Sequence, residues 1–176
     1  MAKIERIWAM PNKQTFSIKP IRELIARHIT RGVWLDPFSR NSLFSKHCIT
    51  NDIDTLFPAD YHEEALVFLK RFPDEYADGV LFDPPYSARQ ISECYRGAGM
   101  SVHMKDTQGS FYGDRKNDAA RALKPGGKAI SFGWNSGGMG IKNGMEIIEI
   151  LLVPHGGAHN DTICVVEIKG MGYGKT

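Results

Sequence analysis

Four consecutive residues, Asp83-Pro84-Pro85-Tyr86, combine a carboxylate, two rigid prolines and an aromatic ring. They follow the apolar run Gly79-Val80-Leu81-Phe82, which reads as a buried parallel strand. Proline donates no ladder hydrogen bond, so the pair ends the strand and holds the backbone in one shape. The Pro84 carbonyl is then an acceptor near the Asp83 carboxylate, with the flat face of Tyr86 beside both. Two acceptors next to a stacking ring suit a planar group that bears an exocyclic amine. The amine donates one hydrogen to each acceptor while its ring stacks on Tyr86.

Such a strand needs a sheet, and the surrounding chain supplies alternating strands and helices. Val33-Trp34-Leu35 runs into the turn Asp36-Pro37-Phe38-Ser39-Arg40-Asn41-Ser42, the expected first β-turn-α of a doubly wound sheet. Cys48–Asp54 reads as the next strand, ending in acids. Asp52 lies sixteen positions after Asp36, where an acid binds ribose hydroxyls in dinucleotide-binding folds; Asp54 is the second candidate. Pro20 opens a helix through about Thr30, with Ile21, Leu24, Ile25 and Ile29 on one face. Tyr61–Leu69 carries a strand end into a helix. Asp60, Asp74, Glu75 and Asp78 read as solvated charges. A helix over 114–124 is stopped by Lys124-Pro125-Gly126-Gly127. Lys128–Trp134, Met145–Val153 and Thr162–Ile168 follow as strands. The predicted fold is α/β, a mostly parallel doubly wound sheet with a terminal antiparallel strand.

The 176 residues form one expected domain, 1–176, with an N-terminal arm over 1–16 and a frayed tail over 170–176. Residues 87–112 form a helix over Ser87–Tyr95 and then a long loop. The loop leaves the end of the Asp83 strand and is rich in cations, amides and aromatics, including Arg89. Such loops are usually functional, and this composition suits phosphate and base contacts. Phe132 and Trp134 read as core or pocket wall, with Trp134 a candidate lining residue for the target. A net charge of +2 is compatible with nucleic acid without arguing for it. Cys48, Cys94 and Cys164 are widely spaced, which argues against a zinc site and for free thiols in a reducing cytoplasm. His155 and His159 lack an evident third metal ligand and read as turn residues. No apolar run reaches membrane length and the N-terminus has no signal-peptide pattern, so a cytoplasmic protein is expected.

Asp83-Pro84-Pro85-Tyr86 resembles the catalytic motif of amino-methyltransferases that act on exocyclic amines of nucleic acid bases. The chain looks like the adenine-specific DNA methyltransferases, in particular the compact phage versions, and its likeness to the class I methyltransferase fold covers nearly the whole chain. The resemblance implies a Rossmann-like class I methyltransferase fold, S-adenosylmethionine as cofactor and DNA as partner. The expected location is then the cytoplasm, that of the host if phage-encoded. Asp36-Pro37-Phe38-Ser39 matches the family's turn at the methionine part of the cofactor, although Arg40 and Asn41 stand where glycines are usual. Thr15–Pro20 matches a segment beside the same end, which implies that Phe16 covers the cofactor and Lys19 meets its carboxylate. Glu64-Ala65 matches a pair that contacts the cofactor's adenine, with Glu in place of the usual Asp. Asp83, Pro84, Pro85 and Tyr86 are then catalytic, and Tyr86, Ser87, Arg89 and Trp134 bind the target base. The acceptors Asp83 and Pro84 would localise the amine's lone pair and stabilise its developing positive charge. Target recognition falls to residues 87–112, the N-terminal arm, a second protomer or a partner subunit. Cytosine's amine and adenine in RNA are the rival substrates. A non-catalytic cofactor-binding or nucleic-acid-binding subunit is the rival class, favoured by Arg40-Asn41.

Overall fold

The computed structural model describes residues 1–29, 31–86, 88–97, 99 and 110–171. Seven strands make one sheet: β1 (Lys3–Arg6), β2 (Trp34–Asp36), β3 (Cys48–Thr50), β4 (Ala77–Phe82), β5 (Leu123–Gly133), β6 (Met145–Val153) and β7 (Thr162–Lys169). Their order across the sheet is β1-β6-β7-β5-β4-β2-β3. Every pairing is parallel except those of β7, which runs antiparallel to both β5 and β6. The last strand in sequence is therefore interior, inserted between two earlier ones.

Helices cover both faces. α1 (Lys19–His28) takes one face, and α2 (Ala65–Lys70) and α4 (Ser110–Ala122) take the other; α3 (Ala88–Gly97) follows the Asp83 motif. Proline in the first turn of α1 suits a helix start, where its missing N–H would have no partner. Ile21, Leu24 and Ile25 follow at helical spacing and are fully buried. Each such side chain contributes about 1.5–3 kcal/mol of burial. β4 alternates as a strand with two covered faces must: Leu81 packs in the α1 layer, and Val80 and Phe82 pack under α2 and α4. The apolar residues that α4 buries among the described residues are small, Ala119, Ala120 and Ala122, so this face of the helix lies close to the sheet.

The structure corrects several expectations. The arm over 1–16 is not merely laid on the domain: Lys3–Arg6 adds a parallel edge strand to β6. Helix α4 begins at Ser110 rather than 114, and β5 begins at Leu123, with Lys124–Gly127 taken up as a register shift against β4. Of the 87–112 loop, residues 88–97 and 110–112 are helical, and residues 98 and 100–109 lie outside the described residues. Two acids read as solvated are structural. Asp60 accepts from Thr50 N and Oγ1, both at 2.8 Å. Asp78 accepts from Val33 N at 2.8 Å and pairs with Lys124. His155 is no turn residue either. It is buried, with its ring nitrogens 2.8 Å from the Ala9 carbonyl and 2.9 Å from Thr162 Oγ1, so it ties the N-terminal segment to β7.

Gly79 is required by its neighbour across β2. A Cβ there would sit 2.4 Å from the indole of Trp34, its register partner, which is 1% exposed. Gly79→Ala is expected to lower unfolding free energy in urea by about 1–3 kcal/mol, the usual cost of overpacking. Unchanged stability would show that the strands can separate without penalty.

Candidate functional site

Parallel strands β2, β3 and β4 end on the same edge of the sheet, and their terminal acids converge there. A cavity of about 550 Å³ lies against this edge. Asn51, 1% exposed, fastens its floor. Its amide donates to the Pro37 carbonyl at 3.1 Å and the Glu63 carbonyl at 3.0 Å, and its Oδ1 accepts from Glu63 N at 3.0 Å. One side chain thus joins the turn after β2 to the segment entering α2. An isolated parallel bridge between Asn51 and Tyr61 pairs this segment with the sheet edge.

The turn after β2 departs from the glycine pattern in residue type, yet one of the two departing residues takes a conformation that glycine favours. Arg40 has φ +42°, in the left-handed region that favours glycine. Its N–H donates to Asp52 Oδ2 at 2.8 Å, and its guanidinium lies 4.9 Å over the Phe57 ring. Asp52 Oδ1 accepts from Asp54 N at 2.9 Å. Asp52 therefore holds the turn after β2 with one oxygen and its own loop after β3 with the other while it lines the cavity.

Of the residues expected to hold a cofactor, Phe16, Pro37, Phe38, Ser39 and Asp52 line this cavity. Glu64 and Ala65 line it too. Glu64 caps α2 through Leu66 N at 2.8 Å and is gripped by Arg115 of α4, with Nε at 2.9 Å from Oε1. Asp36 lies beneath the cavity, fully buried. Its Oδ1 accepts weakly from Phe38 N at 3.4 Å, and its Oδ2 has no partner among the described residues. Lys19 is a correction: it is the first residue of α1, its side chain is 77% exposed, and it pairs with Glu23 one turn on. Lys13 lines the cavity instead. Thr15, also overlooked in the sequence, brings its hydroxyl to Asp83 and Tyr86.

Asp83, Pro84, Pro85 and Tyr86 close one end of the cavity. The Tyr86 hydroxyl donates to Asp83 Oδ1 in a short contact, and Tyr86 N donates to Gln90 Oε1 at 2.6 Å. The Tyr86 ring meets Trp134 edge-to-face, centroids 5.7 Å apart. Beyond Pro84 and Tyr86 lies a second cavity of about 240 Å³, and Trp134, 44% exposed, stands on its wall. Ser87 lies outside the described residues. Arg89 is exposed on α3 and lines neither cavity.

Desolvation governs the electrostatics. Burial pushes Asp36 up to about 7, against hydrogen bonds from Phe38 N and the Ser42 hydroxyl that pull it down, with the charges of Asp83 and Asp52 adding to the rise. Burial also pushes Asp83 up to about 6, against hydrogen bonds from Tyr86 and Thr15 that pull it down. Burial and the Asp83 charge raise the Tyr86 phenol well above its usual range, so it stays protonated and donates. Cys164 is buried near Asp83 and its thiol is likewise pushed well up. It is no nucleophile, since the thiolate is the reactive form. Among the described residues no His, Cys, Asp and Glu cluster could hold a metal ion.

A raised carboxyl favours folding in its protonated form. The contribution from Asp36 is fully present below about pH 4 and is lost as pH rises through about 7. Asp36→Asn is expected to melt above the wild type at pH 8, with the gap narrowing through pH 5 and closing near pH 4. A melting difference constant from pH 5 to pH 8 would contradict a strained carboxylate.

No family model matches the chain, and no curated protein sequence matches it. Solved structures do match in fold. Escherichia coli yhhF superposes with TM-score 0.58 at 10% identity, covering 93% of this chain and 92% of that one. The 1,6-didemethyltoxoflavin-N1-methyltransferase of Burkholderia thailandensis, solved with 1,6-didemethyltoxoflavin and S-adenosylhomocysteine, superposes with TM-score 0.56 at 12% identity. That match covers 86% of this chain and 77% of the other. TrmN of Thermus thermophilus gives TM-score 0.54 at 15% identity over 86% of this chain, which spans only 49% of TrmN's length. The sheet order, the single antiparallel strand and the helices on both faces together give this chain the Rossmann-like fold of the class I methyltransferases.

Proposed function

We propose that the protein is an S-adenosylmethionine-dependent methyltransferase that acts on the exocyclic amine of adenine in DNA. The observation that carries this reading is the position of Pro84 and Tyr86 on the wall between two cavities, with Asp83 on the larger side of it; the larger cavity has room for a nucleoside cofactor and the smaller suits a single base. The larger cavity fits the cofactor by its chemistry. Asp52 offers a carboxylate at the end of β3, Phe16 and Phe38 offer apolar cover, and Lys13 offers a cation for a carboxylate. The unpartnered Asp36 Oδ2 places negative potential below this floor. When bound, S-adenosylmethionine supplies a methyl group already activated on a sulfonium.

The chain's own residues do the rest. Asp83 and the Pro84 carbonyl accept the two amine hydrogens. They bias the nitrogen toward tetrahedral geometry and oppose the positive charge that grows on it. Tyr86 and Trp134 provide aromatic surface for the base ring. The wall formed by Pro84 and Tyr86 would set a base in the smaller cavity against a cofactor in the larger one, so alignment would be fixed before reaction. In duplex DNA the base is first extruded, at a cost of a few kcal/mol. The Tyr86 hydroxyl donates to one Asp83 oxygen, so an incoming amine takes the other oxygen or competes with it. The left-handed Arg40 supports turnover over a non-catalytic role, because the cofactor-side turn keeps a glycine-like path.

Two variants separate the cavities. Asp83→Ala is expected to lose methyl transfer by at least ~10²–10³-fold while calorimetric cofactor affinity changes little. Gly133 lines the smaller cavity, and a Cβ there would meet nothing within 4 Å, so a larger side chain projects into open space. Gly133→Val is expected to block transfer and spare cofactor binding. Normal transfer by either variant would refute the assignment. The pH profile gives a further test. Transfer requires ionised Asp83, so the rate is expected to fall as pH drops through about 6. Tyr86→Phe removes a hydrogen bond that lowers the Asp83 pKa, so its profile is expected to shift to higher pH. A shift to lower pH would contradict the contact.

A further inference from the structure

The smaller cavity contains two donors that nothing in the proposed methyl-transfer step uses. Ser131, on β5, is 7% exposed, and its Oγ is buried with no partner among the described residues. Buried hydroxyls are rarely left unpaired, because the lost hydration costs about 1–3 kcal/mol. Its position is fixed: Ser131 is the register partner of Phe82 across β4–β5, beside the Asp83 end of the strand. Lys116, on α4, is half-buried on the same cavity. Its ammonium makes no hydrogen bond or ion pair among the described residues. Burial lowers its pKa against the distant pull of Glu167, an ordinary sign of a cation in a partly dry site.

Glu167 does not quench Lys116, because it is committed elsewhere. Buried on β7, it accepts from Met139 N at 2.6 Å and Gly140 N at 3.0 Å. Those bonds seat the glycine-rich segment over the same cavity, where Gly138 leaves no room for a side chain: a Cβ would lie 2.3 Å from Glu167 Oε2. The cavity thus has aromatic walls, a rim fixed by Glu167, and two uncommitted donors from different elements, one from the sheet and one from the helix.

We propose that the Ser131 hydroxyl and the Lys116 ammonium read the ring nitrogens of the base whose amine is methylated, and that they select adenine over cytosine. The inference rests on the reading of this cavity as the base site. With its amine held by Asp83 and Pro84, adenine presents acceptor nitrogens on both sides of the amine-bearing carbon. Cytosine presents one such nitrogen and, on the other side, a C–H. Donors on two separate walls match the purine. A site built to hydrogen-bond a ring rejects an analogue lacking the acceptor, because its own buried group is then left unpaired.

The test uses the full chain, tritiated S-adenosylmethionine and oligonucleotides carrying adenine, 1-deazaadenine, 3-deazaadenine, 7-deazaadenine or cytosine at the target. Ser131→Ala and Lys116→Met are compared with the wild type, with calorimetric cofactor affinity as the check on folding. Each variant is expected to lose ~10–100-fold in kcat/KM on adenine. Each is also expected to become insensitive to one deaza substitution that costs the wild type a similar factor, and to narrow the adenine-to-cytosine ratio. A merely structural role would lower activity on every base alike and would overturn the proposal, as would full activity in both variants. Wild-type enzyme that labels no nucleic acid, although it binds the cofactor, would instead overturn the reading on which the inference rests.

Discussion

A carboxylate withdrawn from water must be held by donors or surrender its charge. Three of them crowd the edge where β2, β3 and β4 end: Asp36, Asp52 and Asp83. Each receives a different settlement. Asp52 gains two backbone N–H donors and locks the turn around Arg40. Asp83 gains the Tyr86 and Thr15 hydroxyls and sits near pH 6. Asp36 is left with one oxygen unpartnered and rises to about 7. A sulfonium cation beside this edge would offset the repulsion among these carboxylates, which suits the proposed cofactor. Stability given up here is the ordinary cost of a charged site prepared in advance.

The sheet explains why this edge can carry that load. Fully buried Leu35, Val80, Leu81 and Phe82 anchor the strands on both faces, and α1 on one side and α2 with α4 on the other exclude water from their lower parts. The chemistry is left to the carboxyl ends, as in open α/β sheets generally. The wall formed by Pro84 and Tyr86 divides that end into two compartments of unequal size. Fold likeness at 10–15% identity speaks to the architecture alone, whereas the proposed acceptor group is argued from the residues of that wall and of the smaller compartment.

Much of the central site was legible because its signals are local. An apolar strand ended by two prolines, an aspartate after the first strand and another after the second all follow from short-range patterns, and each lies at the edge of the sheet. What escaped depended on phase or on distant partners. Lys19 and Lys13 both stand near Phe16 in sequence. Only the start of α1 decides that Lys19 points away to Glu23 while Lys13 reaches the cavity. The Glu64–Arg115 pair spans α2 and α4, and no local pattern announces it. The glycine-like backbone at Arg40 contradicts its residue type and is maintained by Asp52. β1 is short, charged and at an edge, so its pairing with β6 carries almost no hydrophobic signature.

Identification of the methylated product tests the central claim most directly. Wild-type protein would be incubated with S-adenosylmethionine labelled in the methyl group and mixed-sequence duplex DNA, and the DNA digested to nucleosides and separated. The account predicts label in N6-methyladenosine's deoxy form and none at a ring carbon. Label at a ring carbon or in protein, or none on DNA despite measured cofactor binding, would contradict it.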